Sequence, residues 1–227
     1  LRTNANVIRI NLDKSRTRAV SVTYVDGQGR EIEQPAEIVI LSAYALNNVR
    51  LLLLSGIGQV YDPMTGEGLI GKNYSYQFIS AVNAFFDDQL FNPFMSAGAM
   101  ATVVDDFNGD NFDHSGLGFI SGGFIAQFTG EGAPINTHPV PVQTPPWGPE
   151  WKRAVADTYL RAFTIITHGA VLSYRNNYLD LDPIYKDAYG QPLLRMTFDW
   201  GENELRSADF LTNKAALIAR EAGARDI

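Results

Sequence analysis

The sequence contains no cysteine. That excludes a disulfide framework, a thiolate zinc site and a cysteine-ligated iron–sulfur cluster, and it selects no compartment. Histidine is scarce: His114, His138 and His168 are the three in 227 residues, and none is spaced from another as a metal-binding pair would be. Basic residues are outnumbered, 18 Lys and Arg against 25 Asp and Glu, for a net charge of −7. An acidic surface argues against nucleic acid or an anionic membrane as partner. No run approaches 18 apolar residues, so no segment reads as a transmembrane helix. A G-x-S-x-G nucleophile elbow, a carboxylate pair for glycoside hydrolysis and a G-x-G-x-x-G on a strand–helix turn are not recognised. There is no initiator methionine and no signal peptide at Leu1, and the chain reads as the central piece of something longer.

What is present is alternation. Asn6–Asn11 and Arg18–Val25 alternate apolar and polar residues, and Asp26-Gly27-Gln28-Gly29 between them and Arg30–Glu33 signals a turn inside a β-meander. Glu37–Leu41 is a short apolar run that reads as a buried strand. Ser42-Ala43 forms a small-residue turn into a leucine-rich helical run, Ala45–Leu54, stopped by Ser55-Gly56-Ile57-Gly58. This layout sets a helix N-terminus at the end of a strand, where α/β proteins hold the anionic parts of cofactors. The same layout also serves as an ordinary strand–helix unit of a core.

Further strands are expected at Tyr76–Phe86, Gly116–Phe128, Phe163–Leu172, Asn177–Asp182 and Leu193–Trp200, with helices at Glu150–Ala162 and Glu202–Ala222. Phe210, Leu211, Lys214, Ala215, Leu217 and Ile218 give the last helix an apolar face, and Gly223 caps it. Residues 74–200 thus read as a mostly antiparallel sheet of five or six strands, and the fold class as α+β. Gly130–Pro149 holds six of the eleven prolines and reads as a surface loop. Asp105–His114 is polar. Asp106, Asn108 and Asp110 alternate like the start of a calcium loop, but the glycine comes two places early and no glutamate closes it, so Asx-capped turns are the competing reading. No metal site is expected. His168, inside a strand, reads as a satisfied core or edge histidine. Trp147, Trp151, Tyr174 and Tyr178 are suited to stacking on sugar, which keeps a non-catalytic carbohydrate-binding or interaction module as an alternative.

The stretch Val39–Gly58 resembles the second signature of the glucose–methanol–choline (GMC) family of FAD-dependent oxidoreductases. Leu51-Leu52 and Ser55-Gly56-Ile57-Gly58 fit that pattern, as does Ala45. Tyr44 stands where the family has Gly or Ser, and Asn48 and Val49 replace its Ser/Thr and Pro/Ser. Gly71 and Asn73 resemble the family's following G-x-N segment, and Asn177–Asp182, Asp187–Pro192 and Leu193–Trp200 its substrate-domain hairpin.

The resemblance implies the tail of an FAD-binding α/β domain at residues 1–73 (meander, strand and helix). It further implies a substrate-binding domain at 74–200, an antiparallel sheet backed by helices, and a return helix at 201–227. It implies cofactor contacts at Val7, Ser42, Ala43, Tyr44 and Asn73, with Val7 offering its backbone to the adenine. It places no catalytic residue in this chain: the family's histidine base is expected beyond Ile227 and its phosphate-binding glycines upstream of Leu1. The branch it is most similar to comprises the bacterial gluconate, fructose and sorbitol dehydrogenase large subunits. The implied reaction is hydride transfer from a sugar, polyol or sugar acid to FAD, with a cytochrome or quinone as electron acceptor, in a periplasmic or membrane-associated complex. The isolated chain is expected to bind FAD weakly and to be inactive.

Overall fold

The computed structural model describes residues 1–92, 102–128 and 139–227, arranged as two units. Residues 1–75 and 173–199 form the first. Its meander consists of β1 (Asn6–Leu12), β2 (Ala19–Val25) and β3 (Glu31–Pro35), antiparallel in that order. Period-two alternation sends Ile8 and Ile10 of β1 inside, whereas the consecutive Tyr24 and Val25 of β2 are buried on opposite faces. α1 (Ala45–Ser55) packs on β1, where the Ile10 N–H donates to Ser55 Oγ at 2.9 Å. Gly56 ends the helix in the left-handed conformation that a side chain disfavours.

A hairpin of β8 (Tyr178–Lys186) and β9 (Pro192–Thr197) completes this unit. The resemblance assigns that hairpin to the 74–200 segment, yet its contacts are with residues 1–75. The Arg50 side chain on α1 pairs with Asp187 at 2.7 Å and donates to Pro192 O from Nε at 2.9 Å and from Nη2 at 2.8 Å. Leu179 N–H donates to Gly71 O at 2.8 Å. A Cβ at Gly71 would lie 1.9 Å from Leu179 O, so this approach needs glycine. Fully buried Asn177 bridges two segments: its amide donates to Asp199 O and accepts from Asp199 N–H, and its backbone carbonyl accepts from Tyr74 N–H.

Residues 76–172 and 200–227 form the second unit. Its sheet contains β4 (Gln77–Phe85), β5 (Thr102–Val104), β6 (Gly123–Phe128) and β7 (Ala162–Ala170), in the order β4-β7-β6-β5 and wholly antiparallel. α2 (Pro149–Thr158) precedes β7. α3 (Glu202–Glu221) lies on one sheet face. Leu211, Ala215 and Ala219, spaced by four, press against Phe78, Val82, Ala84, Ile125 and Ile165. At the start of α3, Glu204 is 1% exposed. Its carboxylate accepts N–H groups from Leu172 at 2.9 Å and Gly201 at 3.1 Å, tying the helix to the end of β7.

The α+β class with antiparallel sheets is as expected. Three expectations need correction. Glu37–Leu41 forms no strand; Ile38 is 79% and Ile40 81% exposed, because the described residues offer that run no ladder partner. The expected single sheet of five or six strands is a four-stranded sheet and a separate two-stranded hairpin. Of Gly116–Phe128 only 123–128 is strand; the Phe107 carbonyl accepts the Gly123 N–H at the point where pairing with β7 begins. The proline-rich loop is described only from residue 139 onward, and His138 lies outside the described residues.

Candidate functional site

The start of α1 gathers the central part of the predicted site. Ser42, Ala43 and Tyr44 form one exposed loop in the first unit. Tyr44 is the helix N-cap, with φ 74° and ψ 145°, a region that favours glycine. The chain therefore keeps a glycine-like backbone at the very position where the family's glycine is replaced, and leaves the ring 69% exposed. Asn48, the other departure from the signature, stabilises the loop from within the helix. Its Oδ1 accepts the Ala43 N–H at 2.9 Å and its Nδ2 reaches the Leu41 carbonyl at 3.5 Å. Sequence reasoning missed this role; an asparagine one turn inside a helix, behind a small-residue turn, is the signal that would have shown it. No acidic residue sits in the first turn and no side chain caps it, so its N–H groups point outward unopposed by negative charge.

The other two predicted positions lie elsewhere in the unit. Val7 is on β1, opposite Tyr24 and next to a register shift between Val7 and Arg9, and is 41% exposed. Asn73 adopts φ 52°, and its side-chain oxygen is buried with no hydrogen-bond partner among the described residues. An orphaned buried acceptor of this kind calls for a donor. No hydrogen bond among the described residues joins Val7, the 42–44 loop and Asn73.

Residues 66–71 read Gly-Glu-Gly-Leu-Ile-Gly, a literal G-x-G-x-x-G that sequence reading passed over. The structure gives it another use. No helix follows it, and Cβ atoms at Gly68 and Gly71 would lie 2.1 Å from Val60 O and 1.9 Å from Leu179 O. These glycines admit neighbouring backbone rather than a phosphate.

In the second unit, His168 sits on β7 and stacks on Phe124 of β6, with centroids 4.8 Å apart and planes at 11°. It is half-buried and has no hydrogen-bond partner among the described residues. His114 lies against Phe112 and Phe119 with its Nδ1 buried and unpartnered. The acidic loop makes turns: Asn108 N–H and Asn111 Nδ2 donate to the Asp105 carbonyl, and Asp113 accepts the Ser115 N–H. No group of three metal-ligating side chains occurs among the described residues. Trp147 and Trp151 belong to the second unit, Tyr174 and Tyr178 to the first. Among the described residues no helix is long and apolar enough to cross a membrane.

The first unit thus combines a meander, a glycine-stopped helix and a tight turn before Asn73, whose side-chain oxygen is buried. The GMC oxidoreductase family model matches residues 1–78. Over 96% of its length the chain is 54% identical to the gluconate 2-dehydrogenase flavoprotein of Pantoea cypripedii, of which it covers 36%. It is 24% identical, over 99% of its length, to the 2-methyl-1,2-propanediol dehydrogenase of Mycolicibacterium austroafricanum, covering 40% of that protein. The chain thus spans somewhat over a third of each of these relatives.

Proposed function

We propose that the chain is part of an FAD-dependent GMC dehydrogenase that oxidises a CH–OH group of a sugar acid, with polyols and sugars as the wider substrate class. The observation that carries this reading is the 54% identity, along 96% of the chain, to a protein named as the flavoprotein of gluconate 2-dehydrogenase. The residues present fit the cofactor: the exposed, uncapped start of α1 suits an electron-rich or anionic group, and the orphaned Asn73 oxygen suits a hydrogen-bond donor. Ser42, Ala43, Tyr44 and Asn73 would hold it, with the Val7 backbone at its adenine end. When bound, the flavin supplies the hydride acceptor.

This chain's own residues bind and orient. The Asn48 clamp fixes the 42–44 loop before any ligand arrives, so little ordering is left to be done on binding. The first unit thereby serves the cofactor and the second offers a sheet surface for the substrate. A base must take the hydroxyl proton as hydride leaves. In this reading the base comes from another part of the full-length protein, not from His114, His138 or His168. The acceptor is a cytochrome or quinone. The test is dye-linked oxidation by the full-length protein with gluconate, glucose, fructose and sorbitol. Turnover of gluconate is expected. A flavin-loaded protein inert toward every sugar acid and polyol would overturn the reading.

A further inference from the structure

The face of the four-stranded sheet opposite α3 carries a cross-strand row of three residues: Ile79 of β4, His168 of β7 and Phe124 of β6. Alternation fixes the side. Ser80 and Thr167, one position along each strand, bond to one another, and Ser80 reaches Thr212 on α3, so His168 must point the other way. On this face Ile79 and Val103 are each 54% exposed, and α3 packs against the opposite face. Among the described residues of β4, β5, β6 and β7, His168 is the only ionisable side chain. Its neighbours on the face are Ile79, Phe124, Ile166 and Ala170, none of them charged. Two rows further along, beyond Ala81 and Ile166, Thr164 donates to Asn83 Oδ1 at 2.9 Å, adding a neutral polar pair.

We propose that His168 is the specificity-determining residue that reads the carboxylate of a sugar-acid substrate. The assignment rests on the functional reading above and adds a residue to it. The imidazole lies flat on the Phe124 ring, and among the described residues neither ring nitrogen has a hydrogen-bond partner. Protonated, it offers two N–H donors to a carboxylate, with no competing acid on the strands around it. The Phe124 ring and the apolar Ile79 and Ile166 beside it suit the C–H face of a sugar chain, and the Asn83–Thr164 pair suits its hydroxyls. His168 is a binding group only; it is not the base.

A sugar acid presents a carboxylate to this ring and an uncharged polyol of the same carbon chain does not, so comparing the two ligands separates the role of His168 from that of the base they share.

The experiment measures KM and kcat for gluconate, and KM, or Ki in competition with gluconate, for glucitol. It uses the flavin-loaded full-length protein, as wild type, His168→Gln and His168→Asn. In the variants KM for gluconate should rise about tenfold, the loss of one charge-assisted hydrogen bond, while the glucitol constant stays as in the wild type. The loss should fall on KM more than on kcat. A variant whose gluconate-to-glucitol ratio equals the wild-type ratio overturns the assignment, and so does a variant that weakens both ligands equally. If gluconate is neither oxidised nor bound, the functional reading fails and the assignment falls with it. Oxidation with an unchanged ratio fails the assignment alone.

Discussion

Replacing Arg50 by alanine should cost the first unit about 3 kcal/mol. One guanidinium there makes an ion pair to Asp187 and two hydrogen bonds to Pro192 O. Hydrogen bonds to charged groups contribute about 1.5–3 kcal/mol each, and non-additivity within one side chain keeps the total near the upper figure. The pair is about four-fifths buried on both sides, 21% and 19% exposed, so the discount that applies to surface ion pairs is small here. Asp187 is not left unpaired by the change, since the N–H groups of Tyr189 and Gln191 still reach it. Arg50→Lys should cost about half as much, because an ammonium cannot span the carboxylate and the carbonyl together. Burial alone would raise the Asp187 carboxyl, but the Arg50 side chain and the Gln191 and Tyr189 N–H groups hold it below the ordinary carboxylate range. A depressed folded-state pKa means stability that is complete at neutral pH and lost as pH falls through that depressed value. Asp187→Asn should therefore flatten the acid limb of the stability curve. The assay is hydrogen exchange of the β8–β9 ladder amides with and without each change. A loss below about 0.5 kcal/mol in Arg50→Ala, or an unchanged acid limb in Asp187→Asn, would refute the clamp.

Tyr44→Gly should stabilise the protein by about 1 kcal/mol, since it relieves a left-handed backbone and removes a ring that is already exposed, while Tyr44→Ala should gain almost nothing. Urea midpoints decide this, and equal effects of Gly and Ala would contradict the backbone conformation. Glu204→Ala should cost the second unit about 2 kcal/mol by leaving two part-buried N–H groups without their carboxylate acceptor, and Glu204→Gln about 1 kcal/mol because one oxygen remains. Thermal unfolding measures both, and a neutral Glu204→Ala would mean that the carboxylate does not tie α3 to the end of β7.

Local signals were readable and long-range ones were not. The meander followed from alternation and the Asp26–Gly29 turn, and α1 and α3 from leucine or alanine spacing with a glycine after each end. The apolar run Glu37–Leu41 misled because periodicity describes a face and not the partner that must cover it. β8 ran past the expected stop at Asp182-Pro183. Its pairing is irregular between Leu181 and Lys186, so proline loses no ladder bond there, and Asp182 accepts the Ile184 and Tyr185 N–H groups instead. β5, at three residues, carries too little pattern to be seen. The division of strands between two sheets depends on contacts such as Arg50 to Pro192, about 140 residues apart in sequence. At the candidate site the signature gave the position of the loop. It did not give the Asn48 clamp, the glycine-like backbone of Tyr44 or the unpartnered Asn73 oxygen, all of which depend on folded geometry.

The account's central claim is hydride transfer from a sugar acid to a flavin. Its most direct test is anaerobic addition of gluconate to the oxidised, flavin-loaded full-length protein while the visible flavin band is followed. The account predicts that the band bleaches with one equivalent of gluconate per flavin and returns when an electron-accepting dye is added. A bound flavin that stays oxidised with gluconate and with every other sugar acid or polyol would contradict it.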